Sequence, residues 1–268
     1  MKHTDFNHGS TLGILALLFL LPVAVLILVS LAPGWRFPDV WPAAFSLRGV
    51  DFFIRHHEKI LLALASSFGF SLLTVAVTLM MCLVPAAVFA RNRFPGKALM
   101  EGLLLTPALV PPMTFAMGLH FIFIKISLAD TTAGVVLILA MFSYPYMFRA
   151  LVAGFQTMGE DYRTCARNLG ATPADILFRV EFPLLVPSII AGGSVVFLVA
   201  FSEYFLVFLI GGGSVPSFTG TLLPLLSSSN RSLAAILTLI FLFLPVLLFV
   251  VMDVSLMRMY RKKGMVSV

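Results

Sequence analysis

The sequence predicts an all-α membrane protein of six transmembrane helices, a single domain over 1–268 with both termini cytoplasmic. Three observations carry this. Hydrophobic residues make up 60% of the 268 residues and charged residues 11%, against about 25% charged in an average soluble domain. A soluble fold of this size needs a charged shell that so few charges cannot supply. Long charge-free stretches recur at the length a bilayer requires, about 20 apolar residues. Soluble enzyme, disordered chain and disulfide scaffold are excluded as classes, and the two cysteines, Cys82 and Cys165, suggest neither a disulfide framework nor a metal pair.

The spans are placed at about 12–33, 62–90, 99–124, 133–155, 188–210 and 233–256. The first is longer than a signal-peptide apolar core and shows no small-residue cleavage site before Pro33, so it reads as a retained helix. The third carries Pro107, Pro111 and Pro112 and the fourth carries Pro145, which serve either as hinges or in packing. The fifth holds Glu203 within its helix and Gly192-Gly193 at a close helix contact. Gly211-Gly212-Gly213-Ser214 then opens a loop before the sixth.

Lys and Arg give the orientation. With the N-terminus inside, the cytoplasmic segments hold twelve basic residues: Lys2, Arg91, Arg93, Lys97, Arg149, Arg163, Arg167, Arg179, Arg258, Arg261, Lys262 and Lys263. The external segments hold six: Arg36, Arg48, Arg55, Lys59, Lys125 and Arg231. The net charge of +6 thus reads as a topology signal, not a nucleic-acid footprint.

One cytoplasmic segment, about 157–187, is too long and too structured for a simple connection. Tyr162, Ala166 and Leu169 recur at helical spacing. Gly170 stands where a C′ glycine ends a helix. Thr172, Pro173 and Asp175 then occupy the N-cap, N1 and N3 positions of a second helix with Ile176 and Val180 on its apolar stripe, which Pro183 and Pro187 should stop.

This loop resembles the EAA loop of the permease subunits of ABC importers. Ala166, then Leu169-Gly170-Ala171, a nine-residue gap after Gly170, and Val180-Glu181-Phe182-Pro183 follow the family's spacing. Thr164 stands where the family has its glutamate and Cys165 where it has its first alanine, with Glu160 four residues early. The prolines of span three and Ser143-Tyr144-Pro145-Tyr146 extend the similarity to the MetI-type, binding-protein-dependent permease core over about 60–255, nearest the polyamine, iron and thiamine groups.

The resemblance implies a transport subunit of the bacterial inner membrane without chemistry of its own. It implies a second permease, here expected to be a different homologue, two cytoplasmic ATPase subunits that bind the ATP and Mg, an external substrate-binding protein and surrounding lipid. It also implies that the loop is a coupling helix with Arg167, Asn168, Leu169, Gly170, Ala171 and Thr172 as its ATPase-contacting tip.

Glu203, flanked by Ser202 and Tyr204, is the one acidic residue deep in a span. Such a group costs several kcal/mol unless it meets water, a partner or a pathway. It is either a substrate-path residue, favouring a cationic solute, or a packing residue bonded inside the bundle. His120 in span three is expected to be buried and hydrogen-bonded. His56-His57-Glu58 cannot converge on one ion without distant partners and is read as part of an external docking surface. No phosphate-binding loop or Ser/His/Asp set stands out, and no internal repeat. An ion-gradient-driven transporter and an intramembrane enzyme are the competing classes. The first would call for repeats and several intramembrane charges, the second for polar groups grouped at one depth.

Overall fold

The computed structural model describes residues 8–35, 38–228 and 230–262. Lys2, Arg36 and Lys263 of the orientation count, and both chain ends, lie outside them. The described residues form α1 (His8–Leu31), α2 (Arg48–Arg55), α3 (His57–Arg91), α4 (Lys97–Leu105), α5 (Pro112–Lys125), α6 (Thr132–Met158), α7 (Asp161–Asn168), α8 (Pro173–Asp175), α9 (Phe182–Ser202), α10 (Phe205–Gly211), α11 (Phe218–Leu226) and α12 (Arg231–Lys262). Among the described residues every regular element is helical.

Four stretches are long and apolar enough to span a bilayer: His57–Arg91, Thr132–Met158, Pro173–Ser202 and Arg231–Val251. The first predicted span falls on α1, which is apolar over Leu15–Leu31. The third does not form one helix. Lys97–Leu109 and Pro112–Lys125 meet at 99°. A 3-10 turn over Thr106–Leu109 holds Pro107, and Val110 and Pro111 are then extended, at ψ 132° and 136°. Each precedes a proline, whose ring disfavours the helical region for the residue before it. Two successive X-Pro steps therefore set the bend, while Pro145 lies inside an unbroken α6.

Packing divides the chain into two units. One joins the described residues up to Leu61 with those of Thr221–Leu248. There the Ser46 amide donates to Leu31 O at 2.7 Å, the Ser232 hydroxyl donates to Ser30 O, and Gly49 lies against Ser232. His56 and His57 place their Nδ1 atoms 3.0 and 2.6 Å from the carbonyls of Phe52 and Ile54.

The other unit comprises Leu62–Gly220 and the described residues from Phe249 on. Its centre is α6, buried at Val135, Leu139, Phe142, Phe148, Leu151 and Phe155. One apolar cluster joins α6 to α5 and α10 through Phe123, Leu206 and Ile210; a second joins it to α3 and α9 through Cys82, Phe89, Leu185 and Val196. The contact of α6 with α9 is close because Gly192 lacks a side chain: a Cβ there would sit 2.8 Å from Ala150 Cβ. Gly193 likewise approaches Val75 of α3. The small-residue packing read from Gly192-Gly193 is thus what the structure has. On α3 the hydroxyls of Thr74 and Thr78 donate one turn back, to Phe70 O and Thr74 O, at 2.8 and 2.6 Å, so their burial costs little. His120 departs from expectation: its Nδ1 is buried without a hydrogen-bond partner.

Candidate functional site: a capped elbow and a broken fifth span

The elbow is built by local rules. Helix α7 ends at Gly170, whose φ of +82° is left-handed. The Gly170 amide donates to Arg167 O at 2.9 Å and the Ala171 amide to Ala166 O at 3.0 Å. Those two bonds are the paired closure of a Schellman motif, with Gly170 at C′. The next helix starts at once. Thr172 is extended at ψ 159°, its hydroxyl oxygen accepts from the Asp175 amide at 3.2 Å, and Pro173 sits in the first turn. The Thr172 hydroxyl donates to Asp175 Oδ2 at 2.5 Å, and Arg179 Nε pairs with Asp175 Oδ1 at 3.3 Å.

Asp175 titrates accordingly. The Thr172 hydroxyl bond, and secondarily Arg179, hold its carboxyl below the ordinary 3.8. A lowered folded value means that the cap's pH-dependent contribution is complete above about pH 4 and is lost as pH falls through the lowered value. Hydrogen-exchange protection at 176–179, corrected for intrinsic exchange, is expected to hold from pH 7 to about 4 and to drop below it. Asp175→Asn is expected to remove that drop; an unchanged acid profile in the variant would assign it elsewhere.

The second helix does not stop at Pro183 and Pro187 as the sequence suggests. Apolar helix runs on over Pro173–Ser202. Pro183 is in the first turn of α9, and Pro187 lies inside it. A π turn over Ile176–Glu181, a wider winding than the α-helix, immediately precedes Phe182 and Pro183. The elbow and the fifth span are therefore one continuous rod. Its tip is open: Arg167, Asn168, Gly170 and Thr172 are exposed, Ala171 is half-buried, and Leu169 is 83% exposed. The apolar face of α7 also looks outward at Tyr162, whereas Ile176 is buried as its stripe predicts.

Glu203 is not within a helix. The rod ends at Ser202, whose hydroxyl donates to Leu198 O at 2.7 Å, and Glu203 is extended at ψ 127°. Its Oε1 accepts from the amides of Phe205 and Leu206 at 3.0 and 3.3 Å. The carboxylate thus satisfies two amides at the start of α10 that have no partner within the helix. Thr219 Oγ1 donates to Glu203 O at 3.2 Å, while the ring of Tyr204 stacks on Phe208 at 5.5 Å. Ser202, Glu203 and Tyr204 therefore form one break in the span, with Ser202 exposed and the other two partly so. The break carries no proline or glycine, the signals by which sequence reading finds such places.

A sharply bent helix pair over 97–125, a long apolar rod continuous with a capped elbow, and a break after Ser202 mark an α-helical membrane protein. The chain belongs to the family described as "Binding-protein-dependent transport system inner membrane component", whose profile matches residues 83–262. It is a multi-pass inner-membrane protein. Among curated relatives, the molybdenum transport system permease protein ModB of Mycobacterium tuberculosis is 32% identical over 150 residues, 50% of this chain and 57% of that protein. The trehalose transport system permease protein SugB of M. tuberculosis is 31% identical over 144 residues, 54% of this chain and 53% of that one. The Escherichia coli sulfate transport system permease protein CysT is 25% identical over 216 residues, 76% and 73% of the two. The chain spans little more than half the length of the ModB and SugB proteins that it matches.

In fold it is similar to a chain of a bacterial ABC transporter involved in the import of the acidic polysaccharide alginate. The TM-score is 0.72 at 15% identity, covering 94% of this chain and 98% of that one.

Proposed function

We propose that this chain is the permease subunit of an ATP-driven importer. It takes a small solute from an external binding protein and passes it to the cytoplasm by alternating access. It has six spans and cytoplasmic termini, and it pairs with a second, different permease. Two cytoplasmic ATPase subunits bind the ATP and Mg. The elbow carries the reading. It is short, capped at both turns, open at Leu169 and continuous with a membrane rod, which suits a lever seated in a partner's groove. Affinity purification of the tagged chain from membranes tests it. An ATPase subunit in the complex, with uptake that stops when ATP is withheld, supports the importer. Uptake by the chain alone under an ion gradient would make it a secondary transporter.

The finer part of the proposal is that Ser202, Glu203 and Tyr204 line the solute path and favour a cation, with a polyamine, iron or thiamine as candidates. The relatives' names, with molybdenum, sulfate and trehalose among them, do not converge on one chemistry. Two substitutions separate path from packing. Glu203→Gln keeps an oxygen that accepts from Phe205 and Leu206 but loses the charge, and Glu203→Ala loses both. A path role for the charge predicts that Glu203→Gln lowers uptake of the solute recovered from the binding protein about tenfold, the equivalent of about 1.4 kcal/mol. Wild-type uptake in Glu203→Gln with loss only in Glu203→Ala would return the residue to capping.

A further inference from the structure

Arg91 counts in the sequence as one orientation base among twelve, yet it does not snorkel to the headgroups as such bases do. Its side chain is 12% exposed, at the C-terminal end of α3. Nη2 donates to Glu181 Oε1 at 2.8 Å, and Glu181 is itself 4% exposed. Nε lies 3.0 Å from Glu160 Oε1, too poorly aligned to donate, and that carboxylate side chain is 54% exposed. The guanidinium carbon sits 4.6 Å from the ring centre of Phe155 on α6. Glu160 immediately precedes α7, and Glu181 closes the π turn just before α9. One side chain thus joins the end of α3 to both feet of the elbow.

We propose that Arg91 is the positioning residue through which displacement of the elbow is passed to α3 as well as α9, with Glu181 its fixed anchor and Glu160 its releasable one. The inference rests on the elbow being the ATPase-contacting lever. The two arms differ physically. The Glu181 pair is buried and well aligned, so separating it would strand charges away from water. The Glu160 arm is exposed and unaligned, so water and salt can replace it at little cost. The π turn between the elbow tip and Glu181 has the looser winding of a deformable joint. Without a second hold on α3, motion of the tip could dissipate there. A cleft of about 470 Å³ lies beside this cluster, lined by Arg91, Asn92, Glu160, Arg163, Leu177 and Glu181 among others. It gives the Glu160 arm room to swing.

The test uses the whole complex in proteoliposomes and reads ATP hydrolysis with and without the purified external binding protein. Glu160→Gln changes an exposed group, so melting temperature and assembly are expected to match wild type. Its stimulation by the binding protein is expected to fall roughly 2- to 30-fold, the span reported for substitutions along coupling networks, with basal hydrolysis raised. Glu181→Gln is expected to act in the same direction and more strongly. Arg91→Lys keeps the charge but not the fork, and is expected to retain part of the response that Arg91→Met loses. If Glu160→Gln and Arg91→Lys both keep wild-type basal and stimulated rates in the assembled complex, the positioning role is overturned while the importer stands. If the wild-type chain assembles with no ATPase, both readings fall together.

Discussion

Valine at position 170 should leave the protein in the membrane and the proposed ATPase partner unresponsive. The backbone there is left-handed, at φ +82°. A side chain in that region costs roughly 1–2 kcal/mol, and a β-branched one is a genuine outlier. Crowding is not the cause, because an added Cβ meets nothing within 4 Å. The strain falls instead on the two closing bonds, from Gly170 to Arg167 and from Ala171 to Ala166. Helix α7 has only 8 residues, too few to hold its shape without tertiary or capping support. The docking-competent elbow should therefore lose about 5- to 30-fold in population, the equivalent of that strain. Gly170→Ala should lie between wild type and Gly170→Val. Membrane level by immunoblot and binding-protein-stimulated ATP hydrolysis in proteoliposomes check this. Full stimulation in Gly170→Val would show that the tip need not be rigid.

What could be read from the sequence follows the range of the interactions. Gly170, Thr172, Pro173 and Asp175 act within four positions of themselves, so their capping roles were legible. So was Gly192-Gly193, because adjacent small residues in an apolar helix have few other uses. The prolines at 107, 111 and 112 marked a place where helix is weak, but a 99° bend needs the extended backbone of Val110 and Pro111 in addition. The end of the fifth-span helix at Ser202 was not legible. Glu203 is held by Phe205 and Leu206 nearby but also by Thr219, and α10 is tied down where the Asp130 amide donates to Ile210 O at 2.7 Å. Arg91 was hidden for the same reason, since its anchor Glu181 is 90 positions away. The replacement of the family's usual glutamate by Thr164 drew attention to one position. The structure shows two other acidic residues, Glu160 and Glu181, paired with Arg91.

Leucine at position 192 should severely damage folding. A Cβ alone would stand 2.8 Å from Ala150 Cβ, 3.1 Å from Met147 Sδ and 3.4 Å from Met147 Cα. The second belongs to a flexible side chain that can adjust, but the first is a Cβ fixed to the backbone of α6 and the third is that backbone itself, so a branched side chain must push the helices apart. Overpacking by even a few methylenes costs about 1–3 kcal/mol in a well-packed core, and here it acts on the contact that fixes the rod to the unit's central helix. Gly192→Leu should accordingly show little folded protein by size exclusion in detergent, and Gly192→Ala a lowered melting temperature. The compensating pair Gly192→Ala with Ala150→Gly removes the 2.8 Å clash and should recover most of that loss. Non-additivity of this kind is what residues in direct contact show. Gly118→Ala on α5, where an added Cβ meets nothing within 4 Å, is the control and should be neutral or slightly stabilising. If the paired variant melts no higher than Gly192→Ala alone, the cost lies in contacts with Met147 and not in the approach of Ala150. Because α9 continues into the elbow, partial loosening at Gly192→Ala should also lower binding-protein-stimulated hydrolysis below what the drop in folded protein explains. A rod can deliver its motion only to helices it stays packed against.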